Sequence, residues 1–172
     1  GAVQGPNGIT VAIGPGTLVA DTPVEINQLA VSDLPLPVPD TFQLAGAFQL
    51  ELGEGTLDQP VQLALPVAAG IPVGSTAYFY RYVELPDESG GKTPLWLYVE
   101  NGVVGADGVA RTASPPSPGV RAGGTYLALV NNLAQSASLY AASLPSTFTG
   151  FAILQGLGAN MGVALSPLGP VP

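Results

Sequence analysis

Gly55-Thr-Leu-Asp-Gln-Pro-Val-Gln-Leu-Ala-Leu-Pro66 places Val61, Leu63 and Leu65 on one side of an extended chain and Gln62 and Ala64 on the other. That two-residue period reads as a half-buried β-strand. Proline bounds it at both ends: Pro60 can open a strand and Pro66 closes it, because neither offers the amide that a continuing ladder needs.

Working outward, residues 41 to 52 alternate in the same way, with Phe42, Leu44, Phe48, Leu50 and Leu52 on one face and Gln43, Ala45, Ala47, Gln49 and Glu51 on the other. The Gly53-Glu-Gly55 turn between the two stretches predicts a hairpin. Further upstream, Ile9, Val11 and Ile13 mark a first strand over 8 to 13, ended by Gly14-Pro15-Gly16. Val24 to Val31 is a second strand. Its apolar phase shifts from Val24 and Ile26 to Leu29 and Val31, which predicts a bulge or a change of face. Leu34-Pro-Leu-Pro-Val-Pro39 cannot lie inside a sheet and is expected to be an extended, polyproline-like crossover.

Downstream, Thr76 to Leu85 carries Tyr78, Tyr80 and Tyr82 on one side and Phe79, Arg81 and Val83 on the other. Either both faces are covered or the tyrosines are exposed. The polar turn Asp87 to Lys92 leads to Leu95-Trp-Leu-Tyr-Val-Glu100 at hairpin distance. Val103 to Arg111 reads as a short pair about Asp107-Gly108, Ser114-Pro-Pro-Ser-Pro-Gly119 as a rigid loop, and Gly124 to Val130 as a last clear strand. Some eight strands at regular spacing predict an all-β fold, an antiparallel β-sandwich over residues 1–130 with an apolar, charge-free C-terminal extension over 131–172.

Composition narrows the function classes. The chain has 172 residues, 23 Gly, 18 Pro, 47% apolar residues and only 9% charged ones, which suits strands and turns. A net charge of −8 with four basic residues leaves no patch to neutralise a run of phosphates, so nucleic acid is not an expected partner. There is no Cys and no His. Thiolate metal sites, disulfides, the commonest general base and the commonest transition-metal ligand are all removed. The opening Gly1-Ala-Val-Gln-Gly-Pro6 lacks the basic region and apolar core of a secretory leader, so the chain is expected to start after a removed leader or within a longer protein.

Three segments together resemble one family. Ile9-Thr-Val-Ala-Ile-Gly-Pro-Gly-Thr-Leu18, the Gly55–Pro66 stretch, and Trp96 with Val99 followed by Gly123-Gly-Thr-Tyr126 are similar to the successive strands of ZU-type domains. Such domains occur in zonula-occludens proteins, netrin receptors and bacterial surface proteins. The resemblance covers about residues 8 to 130 and implies a β-sandwich used for protein contacts. Some members cleave themselves at His-Phe-Ser; this chain has no His and reads Ser114-Pro-Pro-Ser117 in the corresponding region, so it departs from that pattern.

Catalytic chemistry has little to draw on. A Ser or Thr nucleophile would need Lys92 or a carboxylate to activate it, and Lys92 sits in a Gly-rich turn suited to solvent. Asp87 with Glu88, or Glu51 with Glu54, is a carboxylate pair of the kind glycoside hydrolysis uses, but neighbours in turns ordinarily serve solubility. Asp58, Asp87, Glu88 and Asp107 lie at turns where oxygen ligands for calcium would be placed, without the spacing of a calcium loop. No catalytic residue, metal or cofactor is expected. Tyr78, Tyr80, Tyr82 and Tyr98 are the candidate binding surface, an aromatic face for stacking a sugar or a protein, against the alternative of cross-strand pairs covering an outer face.

The tail differs in kind. All sixteen charged residues fall within the first 121, and none follows Arg121. A stretch this long without charge is expected to be buried, either on its own sandwich or along a neighbour. Phe148, Phe151, Ile153, Leu154, Met161, Val163 and Leu165 are its candidate assembly residues. Interrupting glycines with Gln155 and Asn160 argue against a membrane span. The sequence therefore favours a non-enzymatic subunit of an extracellular or cell-surface fibre or layer that joins copies of itself. The alternative is a ligand- or protein-binding module of a larger secreted or surface protein, beside neighbouring domains.

Overall fold

The computed structural model describes residues 1–18 and 21–131. The fold is all-β and antiparallel: β1 (Ala2–Gln4), β2 (Thr10–Ala12), β3 (Val24–Gln28), β4 (Phe42–Leu52), β5 (Gln62–Pro66), β6 (Thr76–Pro86), β7 (Lys92–Val104), β8 (Val109–Thr112) and β9 (Gly124–Asn131). They form one sheet in the order β1-β2-β5-β8-β7-β6-β9-β4-β3. The sheet curls until its two edges meet. Gly5, just past β1, comes so close to β3 that a Cβ there would lie 2.7 Å from the Ile26 Cβ. The Asn7 side-chain amide donates to Gln28 across the same seam. The curl makes two facing layers from a single sheet and leaves β1 and β3 as its only edges among the described residues.

The interior is filled from every part of the circuit: Val11, Ile26, Phe48, Leu50, Leu63, Leu65, Phe79, Val104, Ala110, Tyr126 and Val130 are all buried in one cluster. The opening stretch behaves as its period demands, with Val61, Leu63 and Leu65 at 0%, 2% and 2% exposure. It does not form the expected hairpin with residues 41 to 52. β4 pairs instead with β3 and β9, while β5 pairs with β2 and β8. The connection runs from Gly53 to Val61 and crosses the end of the sheet, tied by the Leu57 amide to the Arg121 carbonyl at 2.7 Å and by Val61 to Val120 at 2.8 Å. That connection is too long for a tight turn, and β4 instead pairs over five residues with β3 and eight with β9.

A second correction concerns β4 itself. Its register with β9 shifts between Leu44 and Gly46. Phe42 and Leu44 therefore face outward, whereas Ala45, Phe48, Leu50 and Leu52 face the interior and Ala47 faces out. Gly46 sits under Leu65, whose side-chain carbons would lie 3.2 Å from a Cβ there, so the bulge falls where a side chain would crowd the core.

The change of face foreseen after Ile26 does occur. Val24 and Ile26 pack inward and Leu29 packs outward, because β3 stops at Gln28 and a 3-10 turn follows at Val31–Asp33. Residues 34–39 then run extended, outside the sheet. Leu34, Leu36 and Val38 are half-buried against the outer face while Pro35 and Pro37 point to solvent. This strap gives the sheet a second apolar cluster. The β6–β7 hairpin forms as expected about Asp87, whose Oδ1 accepts from the Ser89 and Gly91 amides, both at 2.9 Å. The β7–β8 pair forms about Asp107-Gly108, where the Arg111 guanidinium holds the Asp107 carboxyl down at about 2.

β9, between β6 and β4, is buried on both faces from Tyr126 to Val130. Tyr126 stacks on Phe48 with ring centroids 5.4 Å apart, and its hydroxyl donates to the Ala122 carbonyl at 2.5 Å. Burial pushes that phenol up to about 12. The bond resembles the tyrosine corners of sandwich folds. Replacing Tyr126 by Phe keeps the ring and removes the bond, leaving a buried carbonyl short of a partner, and is expected to cost about 1–2 kcal/mol. Urea unfolding of the two proteins measures it; an unchanged midpoint would mean that the corner does not fasten β9.

Candidate functional site

Two places on the sheet combine polar or aromatic groups with burial, and Tyr98 touches both. The first is the aromatic face. Antiparallel pairing of β6 with β7 sets Tyr80 opposite Tyr98 and Tyr82 opposite Trp96. Both pairs meet edge to face, at 5.8 Å and 6.0 Å between centroids. Offset and edge-on contacts of this kind place ring hydrogens against a neighbouring π-face.

This face is not the open stripe that alternation alone suggests. Tyr78 and Tyr80 are 3% and 0% exposed, packed with Phe42, Leu127 and Leu129, with the strap residues Leu34, Leu36 and Val38 against the same cluster. Two of the four expected binding rings are thus core. Tyr82 and Tyr98 remain half-exposed, and Trp96, which the sequence reading left out of the site, is buried in the same cluster. Its place follows from the hairpin register, which pairs it with Tyr82. The face has an unmet demand: the Tyr80 hydroxyl and the Trp96 Nε1 are buried and have no hydrogen-bond partner among the described residues. Burial, and then the neighbouring Tyr78 and Tyr98, push the Tyr80 phenol well above its ordinary range. It stays a neutral donor.

The second place is a part-buried polar cluster centred on Glu100. β7 carries a bulge where Phe79 pairs with Glu100 and Tyr80 with Tyr98, so Glu100 shares the inward face of Phe79. It is 1% exposed. Its Oε1 accepts from the Asn101 amide at 2.9 Å, and Ser114 Oγ donates to its Oε2. Ser117 Oγ donates to Asn101 Oδ1 at 3.1 Å and lies 3.4 Å from the Tyr98 hydroxyl. Beside them Gln62 Nε2 reaches the Ser114 carbonyl at 3.2 Å, and Thr112 Oγ1 donates to Gln62 Oε1 at 3.1 Å.

Burial raises the Glu100 carboxyl above its ordinary value, against the lowering pull of the Asn101 amide and the Ser117 side chain. A raised carboxyl beside a serine has the look of acid–base chemistry. The arrangement lacks the rest, for no cation or second carboxylate touches it among the described residues. What the cluster does is fasten the loop 113–119 to the sheet, together with the Gly119 amide bonded to the Val99 carbonyl at 3.0 Å. No feature of the sequence announces this, since Glu100 occupies an alternation phase shared with Trp96 and Tyr98 until the bulge reverses it.

The remaining carboxylates are dispersed. Asp87 closes its turn, Asp107 pairs with Arg111 at 2.6 Å, and Glu84 lies 3.6 Å from an exposed Lys92. No group of three or more His, Cys, Asp or Glu side chains is gathered among the described residues, and no helix there is long and apolar enough to cross a membrane. The candidate assembly residues Phe148, Phe151, Ile153, Leu154, Met161, Val163 and Leu165 lie outside the described residues. Comparison with protein-family models, with curated proteins and with solved structures finds no match to this chain.

Proposed function

We propose that this chain is a non-enzymatic structural subunit of an extracellular fibre or surface layer, joined to its neighbours through its apolar C-terminal segment. The observation that carries the reading is the charge distribution: sixteen charged residues up to Arg121 and none from Ala122 to Pro172. The sheet is already curled shut, and its interior is filled by the chain's own strands. A charge-free tail suits use in trans, where strand or extended-segment addition supplies main-chain bonds and side-chain pockets, and polymerises when the contact runs head to tail. The ZU-type resemblance, carried chiefly by the Gly55–Pro66 stretch, supports the same direction.

Negative-stain electron microscopy with light scattering on the full chain, beside a version lacking residues 156 to 172, tests this. Regular fibres that disappear on truncation are the expected result. Monodisperse monomers in both samples would remove the proposal and favour the binding-module alternative, for which the half-exposed Tyr82 and Tyr98 and the unpartnered Trp96 Nε1 are the supporting observations.

A further inference from the structure

The strap that covers the outer face, Leu34-Pro-Leu-Pro-Val-Pro39, has a near-copy in the tail, Leu165-Ser-Pro-Leu-Gly-Pro-Val-Pro172. Both contain Pro-Leu followed by Pro-Val-Pro, and they differ at the join by one glycine. The other proline-rich stretch, Ser114-Pro-Pro-Ser-Pro118, has no apolar side chain between its prolines. In the strap, Leu34, Leu36 and Val38 are the residues that touch the aromatic cluster.

The tail copy spaces Leu165, Leu168 and Val171 three apart. A polyproline II helix has three residues per turn, so in that conformation the three side chains would share one edge. Its backbone makes no internal hydrogen bonds, and every carbonyl is free to accept. The aromatic face supplies the complement: half-exposed rings at Tyr82 and Tyr98, and two unpartnered donors, the Tyr80 hydroxyl and Trp96 Nε1–H, directly against those rings. Aromatic grooves take proline-rich segments by this combination of flat apolar contact and donors aimed at carbonyls.

We infer that the aromatic face of the β6–β7 hairpin is the receptor for the segment Leu165–Pro172 of a second copy of this chain, which lies beside the strap and presents every third residue where the strap presents every second. Tyr82 and Tyr98 turn aside to admit it, and the Trp96 and Tyr80 donors bond its carbonyls. The inference rests on the self-assembly proposed above and names the surface that receives the tail.

Trp96 is the only tryptophan in the chain, so its emission reports on this face alone. The test uses the full-length protein, its Leu168→Asp, Val171→Asp variant, and a synthetic peptide of residues 163 to 172. The double variant is expected to retain its far-ultraviolet circular dichroism and to need about a tenfold or greater increase in concentration to assemble, since two apolar anchors are lost. Added peptide should shift the Trp96 emission of that variant saturably and suppress fibres of the parent, while a scrambled peptide does neither. Replacing Tyr98 by Ser in the variant should abolish the shift.

Assembly that is lost on removing 156 to 172 but unchanged in the Leu168→Asp, Val171→Asp variant would overturn the inference while the structural-subunit proposal stands. The inference also fails if the peptide leaves Trp96 emission unchanged at millimolar concentration. A saturable shift in a protein that never forms fibres would keep the receptor and remove self-assembly instead.

Discussion

Replacing Phe48 by Ala is expected to lower the unfolding free energy by about 3–5 kcal/mol, read from urea midpoints at pH 7. Phe48 is fully buried at the middle of β4, between β3 on one side and β9 on the other. Its ring lies nearly parallel to that of Tyr126, 8° apart, so truncation removes apolar burial, an aromatic stack and the support of β9 in one step. The space left lies beneath β4 and β9, each paired on both edges, and cannot easily collapse. Against the 5–15 kcal/mol typical of a domain this is a large fraction of the total. Phe42→Ala serves as the control: Phe42 belongs to the outer cluster, where the strap can settle into the gap, and a smaller loss is expected there. A Phe48→Ala loss below about 1 kcal/mol, the ordinary centre of point-mutant effects, would show that the interior is not consolidated about this ring pair.

The difference between those two phenylalanines is a fair measure of what sequence reasoning reaches. Alternation in Gly55–Pro66 is enough to bury Val61, Leu63 and Leu65, because a two-residue period is a local property of the chain. The β6–β7 hairpin was legible for the same reason: its two strands and the turn that joins them are contiguous. Alternation puts Phe42 and Phe48 on one face, and the structure puts them on opposite faces. A bulge adds one residue to the count without a compositional mark, and everything beyond it changes side. Glu100 was missed through the same effect at the β7 bulge.

The pairing of β4 with β9 was out of reach for a different reason. The period tells which residues share a face, not which distant strand lies alongside. Residues 41–52 and 57–66 are neighbours in sequence, yet Phe48 lies opposite Tyr126. The tyrosine face shows a third kind of limit. Its alternation was legible, and its burial was not, since the cover comes from a proline-rich segment in which Leu34, Leu36 and Val38 have no strand partner to betray their direction.

Exchanging Glu100 for Gln is expected to leave the protein at least as stable as the parent at pH 7 and to remove a pH dependence that the parent carries. In the unfolded chain this carboxyl ionises near its ordinary 4.5, and burial raises it in the folded state. Below that range both states hold the proton, and the group has no effect on stability. As the pH rises, the unfolded chain releases the proton first, so the folded state binds more protons and stability falls until the folded carboxyl has ionised as well. This slope is opposite in sign to that of Asp107, which is lowered by Arg111 and contributes its stabilisation only above the acid range. Gln cannot ionise, while its carbonyl still accepts from the Asn101 amide and its amide still meets Ser114. Glu100→Ala is the contrasting variant. It leaves the Asn101 amide without its acceptor, at about 1–3 kcal/mol, and it removes the tie from β7 to Ser114, whose hydroxyl keeps only the Ser117 carbonyl at 3.0 Å, so it should free the 113–119 loop. Urea unfolding of the three proteins from pH 4 to pH 8 separates the cases. A Gln variant whose stability falls with pH as steeply as the parent's would mean that the buried carboxylate is not the source of the slope. An Ala variant as stable as the Gln variant would mean that the cluster does not hold the loop.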